Sequence, residues 1–454
     1  MNSPLMISVA GVRGIVGDSL TPPVIARFAA AFARELPGGA VVMGRDARRS
    51  GPMLAAAVTA GVTAAGRDLV DIGLATTPAT QVAVEHLGAA GGLILTASHN
   101  PAPWNALKFL SARGEFLGPE AGRAVRIRFE ADRELWVKSD RVGSARSESG
   151  ALDWHLERIL SLGVIDVARI RRRQLRVVVD GCASVGGVAV PRLLRELGAS
   201  VTELDCVPNG EFTRELEPLP EHLGALGERV RTSGADFGIA LDPDADRAAL
   251  VDGSGTPLGE EYTLALGTRV VLERKRGPVV TNLSTSRMLE SICRDAGVPL
   301  HRTPVGEAHV VARMREVGAV AGGEGNGGMI LPEAHFGRDG LVATALVAEA
   351  MAASGRSLRE LADELPAGHM VKAKLDRGEE PWERAAERLR RVFASHEVNA
   401  EDGLRFSRNE EWIHVRPSGT EPVVRVIAES PQLERTRQLI ETAQRALTAQ
   451  RAEV

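Results

Sequence analysis

The chain has 454 residues, a formal charge of −4 and 44% hydrophobic residues. That is long enough for several buried cores and too acidic for nucleic acid or an anionic membrane to be its main partner. Cys182, Cys206 and Cys293 are few and scattered, no stretch reaches the length of a membrane span, and no charged head precedes a long apolar run. The expected setting is the reducing cytoplasm, with buried thiols and a small-molecule ligand.

In chain order, the first elements are two basic turns, Gly11-Val12-Arg13-Gly14 and Gly44-Arg45-Asp46-Ala47-Arg48-Arg49-Ser50. Each alone reads as structural. An apolar run, Gly92-Leu93-Ile94-Leu95, predicts a buried strand, and it empties into Thr96-Ala97-Ser98-His99-Asn100-Pro101. Pro101 forces Asn100 out of the helical region, so this is a tight polar turn that presents a hydroxyl beside an imidazole. Lys108 follows within reach of the same loop. The basic, Ser-containing stretch 138–150 reads as an exposed segment. Gly181 to Gly187 does not match G-x-G-x-x-G, which disfavours a dinucleotide site.

A second apolar run, Phe237 to Leu241, ends in Asp242-Pro243-Asp244-Ala245-Asp246-Arg247. Carboxylates at alternate positions repel one another unless a cation neutralises them. Three hard oxygen ligands in a loop suit Mg2+, with room left for a phosphate oxygen, and Arg247 can hold an anion beside the metal. The loop lacks the glycine and glutamate of an EF-hand. Next comes Gly322-Gly323-Glu324-Gly325-Asn326-Gly327-Gly328. Its glycines let backbone approach a ligand, Glu324 and Asn326 suit sugar hydroxyls, and no P-loop lysine is present. Last, a strand over Trp412 to Val415 leads into Arg416-Pro417-Ser418-Gly419-Thr420-Glu421-Pro422, with Arg425 beyond. Backbone amides, hydroxyls and guanidinium forks there make a phosphate cradle.

Three segments repeat one plan of strand, polar turn, helix, glycine stop and second strand. They start at Val41, Val177 and Val279. That pattern predicts an α/β fold of three similar domains with mixed or mostly parallel sheets. A smaller C-terminal α+β domain is expected to follow, with amphipathic helices near 379–391 and 432–451, and the four units are expected to surround a central cleft. The expected boundaries are 1–150 with the serine loop, 151–253 with the acidic loop, 254–367 with the glycine-rich loop and 368–454 with the phosphate cradle.

Taken together, the motifs resemble the α-D-phosphohexomutase family, which holds phosphoglucomutases, phosphomannomutases and phosphoglucosamine mutases. The resemblance covers almost the whole chain, with the motifs in the family's order. It implies that Ser98 is the phosphorylated serine and that Ser98, Asp242, Asp244 and Asp246 hold Mg2+. It implies that Glu324 and Asn326 read the sugar, and that Arg416, Ser418, Gly419, Thr420 and Arg425 grip the distal phosphate. Arg13, Lys108, Arg247 and the turn from Thr303 to Gly306 also fall on family positions near the active site. Arg338-Asp339-Gly340 matches another recurrent string. Two departures stand out. Ala106 follows Asn105 where many members have glycine, and Asn326 and Gly328 stand where many have serine and a final histidine.

The implied reaction moves phosphate between the 1 and 6 positions of a hexose phosphate through phospho-Ser98 and a bisphosphate. His99 or Lys108 would transfer the proton. A hexose 1,6-bisphosphate would serve as activator. The loop variant resembles the archaeal-type branch, which points to glucosamine 6-phosphate and glucosamine 1-phosphate, with phosphomannomutase or phosphoglucomutase as the alternative. A metal-dependent phosphatase would not need the sugar loop and the distal cradle. A non-catalytic binding protein would not need Ser98 beside three metal carboxylates.

Overall fold

The computed structural model describes residues 5–8, 11–132, 135–366, 368–378, 380–418 and 423–448. Four sheets follow one another along the chain. The first has seven strands. In spatial order they are Met6–Ser8, Gly11–Ile15, Trp104–Ser111, Gly91–Leu95, Val41–Arg45, Leu69–Leu74 and Ala145–Ser147. The second has four: Ala248–Asp252, Phe237–Leu241, Arg176–Asp180 and Ser200–Leu204. The third has four: Gly328–Ile330, Ala321–Glu324, Val279–Asn282 and Leu300–Thr303.

These three sheets share a pattern finer than the strand–helix–strand repeat. In each, three parallel strands are flanked by an antiparallel one that the chain enters through a short loop, and the first sheet extends further with a fourth parallel strand at one edge and two more antiparallel strands at the other. That loop is 96–103 in the first sheet, Asp242–Arg247 in the second and Gly325–Gly327 in the third. The serine, acidic and glycine-rich motifs therefore occupy one topological position three times over. Loops at strand ends carry function because the sheet fixes them while water reaches them. The stretch 138–150, expected to be merely exposed, is exposed but ordered. Ala145–Ser147 pairs in parallel with Leu69–Asp71 at the edge of the first sheet.

The second and third domains share one apolar core. The helix Gly340–Ser354 runs through it and is buried on every side, as its nearly unbroken apolar sequence requires. Asp339 caps that helix, accepting from the amides of Leu341 and Val342 at 2.8 and 3.1 Å. The same carboxylate accepts from His155 Nε2 at 2.7 Å and from His335 Nε2 at 3.0 Å. His155 lies on Ala151–Leu160, the helix that leads out of the first domain. This cluster ties that helix to the third domain.

The last domain is a five-stranded antiparallel sheet backed by the helices Trp382–Val392 and Leu433–Thr448, with its own core. No helix among the described residues is long and apolar enough to cross a membrane. All three cysteines are buried and free, and burial pushes each thiol up to about 12.

Candidate active site

Ser98 sits at φ 49°, a left-handed conformation that a side chain adopts only when its surroundings hold it there. Its amide donates to Thr96 Oγ1 at 2.9 Å. Below the loop lies Arg48, 1% exposed. Its guanidinium donates to the carbonyls of Ser98 and Asn100 at 2.6 Å, Pro101 at 2.9 Å and Trp104 at 3.1 Å, and to Asp46 at 3.1 Å. Arg48 thus props up the serine loop from behind. Nothing in its own basic turn marks that role. Arg13 reaches the same loop from the neighbouring strand and hydrogen-bonds the Asn100 side chain.

The acidic loop faces Ser98. Asp242, Asp244 and Asp246 are fully buried, and each brings one oxygen within 4.8 Å of the others. Asp242 Oδ2 accepts from Ser98 Oγ at 2.8 Å, and its Oδ1 accepts from the Arg247 amide at 3.2 Å. Asp244 Oδ2 accepts from Lys108 Nζ and Thr77 Oγ1, both at 2.8 Å. Asp246 Oδ2 accepts from Arg338 at 2.6 Å. The other oxygens of Asp244 and Asp246 are buried without a hydrogen-bond partner. Burial, and then the Asp244 and Asp246 charges, push the Asp242 carboxyl well above the usual range. Burial acts the same way on Asp244, but the Lys108 charge and the bonds from Lys108 and Thr77 outweigh it and hold that carboxyl low. Neighbouring donors from two other domains pin one oxygen each on Asp244 and Asp246 and leave the second bare. Hard, unpaired carboxylate oxygens around a hydroxyl fit a divalent cation such as Mg2+.

His99 Nδ1 lies 3.5 Å from Ser98 Oγ. Burial, with the Arg247, Arg13 and Arg425 charges, holds its pKa well below the usual histidine value. The imidazole is therefore neutral near pH 7. Arg247 lies 3.5 Å from Glu217 and 3.7 Å from Asp246.

The stretch 322–328, expected to be one loop, is mostly strand, because its small residues pair into the sheet and leave only Gly325–Gly327 to turn. Glu324, the last residue of the first of these strands, is 4% exposed and already well supplied with donors. Oε1 accepts from Asn282 Nδ2 at 2.8 Å and from the Gly306 amide at 2.9 Å, and Oε2 from Arg338 at 3.1 Å. Burial raises its pKa, but Arg338 and these bonds win and keep it ionised. Asn326 Oδ1 is buried with no partner. The Thr303 hydroxyl turns back to backbone carbonyls, 2.9 Å from that of Pro304.

Arg416 and Arg425 face each other across adjacent antiparallel strands. Like charges so placed repel unless an anion lies between them. The Ser418 amide donates to the Val423 carbonyl at 2.8 Å, closing the hairpin. Gly419 and Thr420 lie outside the described residues. The hairpin is tied to the Thr303–Gly306 turn, whose Gly306 amide donates to Glu324, through Asp402. Asp402 joins the last two domains. It accepts from the Val305 amide at 3.0 Å and lies 3.8 Å from Arg416.

The structure thus brings Ser98, His99, Lys108, Arg13, Arg247 and the three aspartates together, with Glu324, Asn326, Thr303 and Gly306 on a second wall and Arg416, Ser418 and Arg425 on a third. Families described as phosphoglucomutase/phosphomannomutase match in sequence. Alpha/beta/alpha domain I matches residues 6–135, domain II 153–255, domain III 259–368 and the C-terminal domain 370–445. The chain belongs to the phosphoglucomutase/phosphomannomutase family. It is an intramolecular phosphotransferase, a phosphohexomutase. It is 38% identical over 436 residues to a probable phosphoglucosamine mutase of Methanopyrus kandleri, with 95% of each chain covered. It is 37% identical over 450 residues to a phosphoglucomutase/phosphomannomutase of Thermococcus kodakarensis, covering 95% of this chain and 96% of the relative. The crystal structure of a family protein from Burkholderia thailandensis superposes with a TM-score of 0.85 at 28% identity, with 98% of each chain covered.

Sequence reasoning missed Arg48, Thr77, Asn282 and Ser184. Ser184 bridges the Ala47 amide and the Pro243 carbonyl at 3.2 and 2.6 Å. It sits in the glycine-rich stretch that matched no dinucleotide pattern, a signal of close packing with no ligand attached.

Proposed function

We propose that this phosphohexomutase interconverts glucosamine 6-phosphate and glucosamine 1-phosphate, with Ser98 carrying the exchanged phosphoryl group. The observation that carries the chemistry is the bond from Ser98 Oγ to Asp242, in a loop where Asp244 and Asp246 each keep a bare buried oxygen. Mg2+ on Ser98, Asp242, Asp244 and Asp246 supplies, when bound, positive charge against the transferring phosphoryl oxygens. Arg247 and Lys108 add to that charge from the protein side.

In the first half-reaction the bond from phosphorus to Ser98 Oγ breaks as phosphorus bonds to a sugar hydroxyl oxygen. The hydroxyl proton passes to a base. His99, held neutral beside Ser98, keeps a lone pair for it, while Lys108 is engaged with Asp244. The resulting bisphosphate turns over in the site. Its other phosphate then returns to Ser98 Oγ, and the proton returns to the sugar oxygen that is released. Arg416, Ser418, Gly419, Thr420 and Arg425 hold the phosphate that is not reacting. Glu324, Asn326, Thr303 and Gly306 face the ring, and Arg13 steadies the serine loop. Because Ser98 must begin phosphorylated, a trace of hexose 1,6-bisphosphate is needed as activator.

Support for the amino sugar comes from relatives named probable phosphoglucosamine mutase in Methanopyrus kandleri and Pyrococcus abyssi, and from Glu324 being held ionised. One observation favours the alternative of glucose or mannose phosphate: Arg338 already neutralises Glu324, so no bare carboxylate awaits an ammonium group. The test is kcat/KM across glucosamine, glucose and mannose phosphates, each with its matching bisphosphate, with free phosphate measured alongside. Highest kcat/KM on the glucosamine compound is expected. Clear preference for glucose or mannose phosphate overturns the sugar assignment, and release of free phosphate in place of isomerised sugar overturns the mechanism.

A further inference from the structure

Arg338 touches three carboxylates from three separate segments. One Nη donates to Asp246 Oδ2 at 2.6 Å, the other to Glu324 Oε2 at 3.1 Å, and Nε donates to Glu307 Oε2 at 2.9 Å. All four side chains are buried. Asp246 lies in the acidic loop, Glu324 ends the strand that leads into the glycine-rich loop, and Glu307 opens the helix Glu307–Val317 after the Thr303–Gly306 turn. One planar fork spans them, a geometry that lysine, a point charge, does not reproduce. The chain also makes room for this arginine. A Cβ at position 328 would overlap the Arg338 stem at Cδ and Cγ. A side chain at 328 and the arginine at 338 therefore exclude each other in this arrangement.

We propose that Arg338 is a positioning residue that joins the metal loop to the sugar loop, holding Glu324 for the sugar while competing with the divalent cation for Asp246. The inference rests on the proposed function. Because Arg338 stands between the two loops, loss of its charge acts on the two ligands in opposite directions. Asp246 loses a competing cation, so the divalent ion binds more tightly. Glu324 loses one of its three donors and faces two unneutralised carboxylates, so the sugar phosphate binds less tightly. A residue that only held the fold together would weaken both.

The test uses the full chain with Ser98 dephosphorylated, so that no phosphoryl donor is present. Calorimetric titrations are run with Mg2+ alone, glucosamine 6-phosphate and glucose 6-phosphate. Arg338→Met is expected to lower the Mg2+ Kd by about threefold or more and to raise the sugar-phosphate Kd by about tenfold or more. Arg338→Lys keeps the charge, so the Mg2+ Kd is expected to stay within about twofold while the sugar-phosphate Kd rises. Gly328→Ala pushes the arginine aside without removing it and is expected to reproduce the sugar defect, even if the Met variant fails to fold. Parallel weakening of both ligands, or unchanged sugar affinity in Arg338→Lys and Gly328→Ala, overturns the assignment. A parent enzyme that binds neither Mg2+ nor either sugar phosphate overturns the proposed function instead.

Discussion

The Asp242–Asp244–Asp246 loop and the His155–Asp339–His335 cluster are both buried, and both bring three metal-type ligand atoms within 4.8 Å of one another. Their electrostatics differ. Asp339 has four donors for its two oxygens, two helix amides and two imidazoles. Despite burial, its contacts with His155 and His335 hold it ionised. A cation there would have to displace both imidazole protons. The rings would then carry those protons on Nδ1 atoms that have no hydrogen-bond partner, whereas metal-bound histidines donate that proton to an acceptor. In the acidic loop the shortage runs the other way. Three carboxylates share donors that leave two oxygens bare. Crowded ligand atoms do not make a cation site. Unused lone pairs on hard oxygens do.

Removing the hydroxyl that the acidic loop addresses has the largest expected effect. Ser98→Ala is expected to drop mutase turnover to background with the fold intact, because Ser98 Oγ is the hydroxyl that Asp242 accepts from among the described residues. Intact-mass analysis of active parent enzyme should show one phosphate, mapped to Ser98. Full turnover in the alanine variant sinks the assignment.

The next effect separates the clusters directly. Asp244→Asn or Asp246→Asn is expected to weaken Mg2+ binding by about 10–100-fold, and exhaustive chelation should abolish activity reversibly. Asp339→Asn should leave the Mg2+ requirement unchanged. Equal damage to Mg2+ binding from Asp339→Asn would erase the distinction.

Much of this was legible in the sequence, because strands that end in chemistry-bearing loops leave a local signature. The runs before Ser98 and Asp242 are uninterrupted apolar strands, and their loops hold residues unsuited to a plain turn. What could not be read is what reaches those loops from far along the chain. Arg48 grips carbonyls about fifty positions away, Thr77 docks on Asp244 across 167 positions and His155 meets Asp339 across 184. Local periodicity carries no trace of such pairings. The turn 44–50 reads as structural, as it is, but a buried arginine serving backbone carbonyls has the same sequence signature as one serving phosphate, so its partners could not be read from it.

Stability gives a smaller effect. Asn at position 339 keeps one acceptor and turns an NH2 toward donors, so either the helix amides or the two imidazoles lose their partner. The expected cost is about 2–4 kcal/mol in chemical denaturation, with no change in Mg2+ affinity. Unchanged stability would mean that the four-donor account of Asp339 is wrong.

Glu261 extends the same reasoning to a carboxyl with too few donors. Its Oε2 accepts from the Ser286 amide at 3.0 Å, while Oε1 is buried without a hydrogen-bond partner. It packs against Gly325, where a Cβ would overlap the carboxyl. Burial raises it from the ordinary 4.5 to about 8, against the lowering effects of Lys372 and the Ser286 amide. A carboxyl raised on folding contributes stability in full below its unfolded value and loses it as pH climbs toward the folded one. The parent should therefore lose stability between about pH 5 and pH 8 through this group, and Glu261→Gln, which needs no ionisation, should not. The difference expected at pH 8 is on the order of 4 kcal/mol in favour of the variant, vanishing below about pH 4.5. Identical pH profiles of unfolding for parent and variant would show that the bare oxygen is satisfied in solution, and that Glu261 belongs with Asp339 among the fully bonded carboxylates.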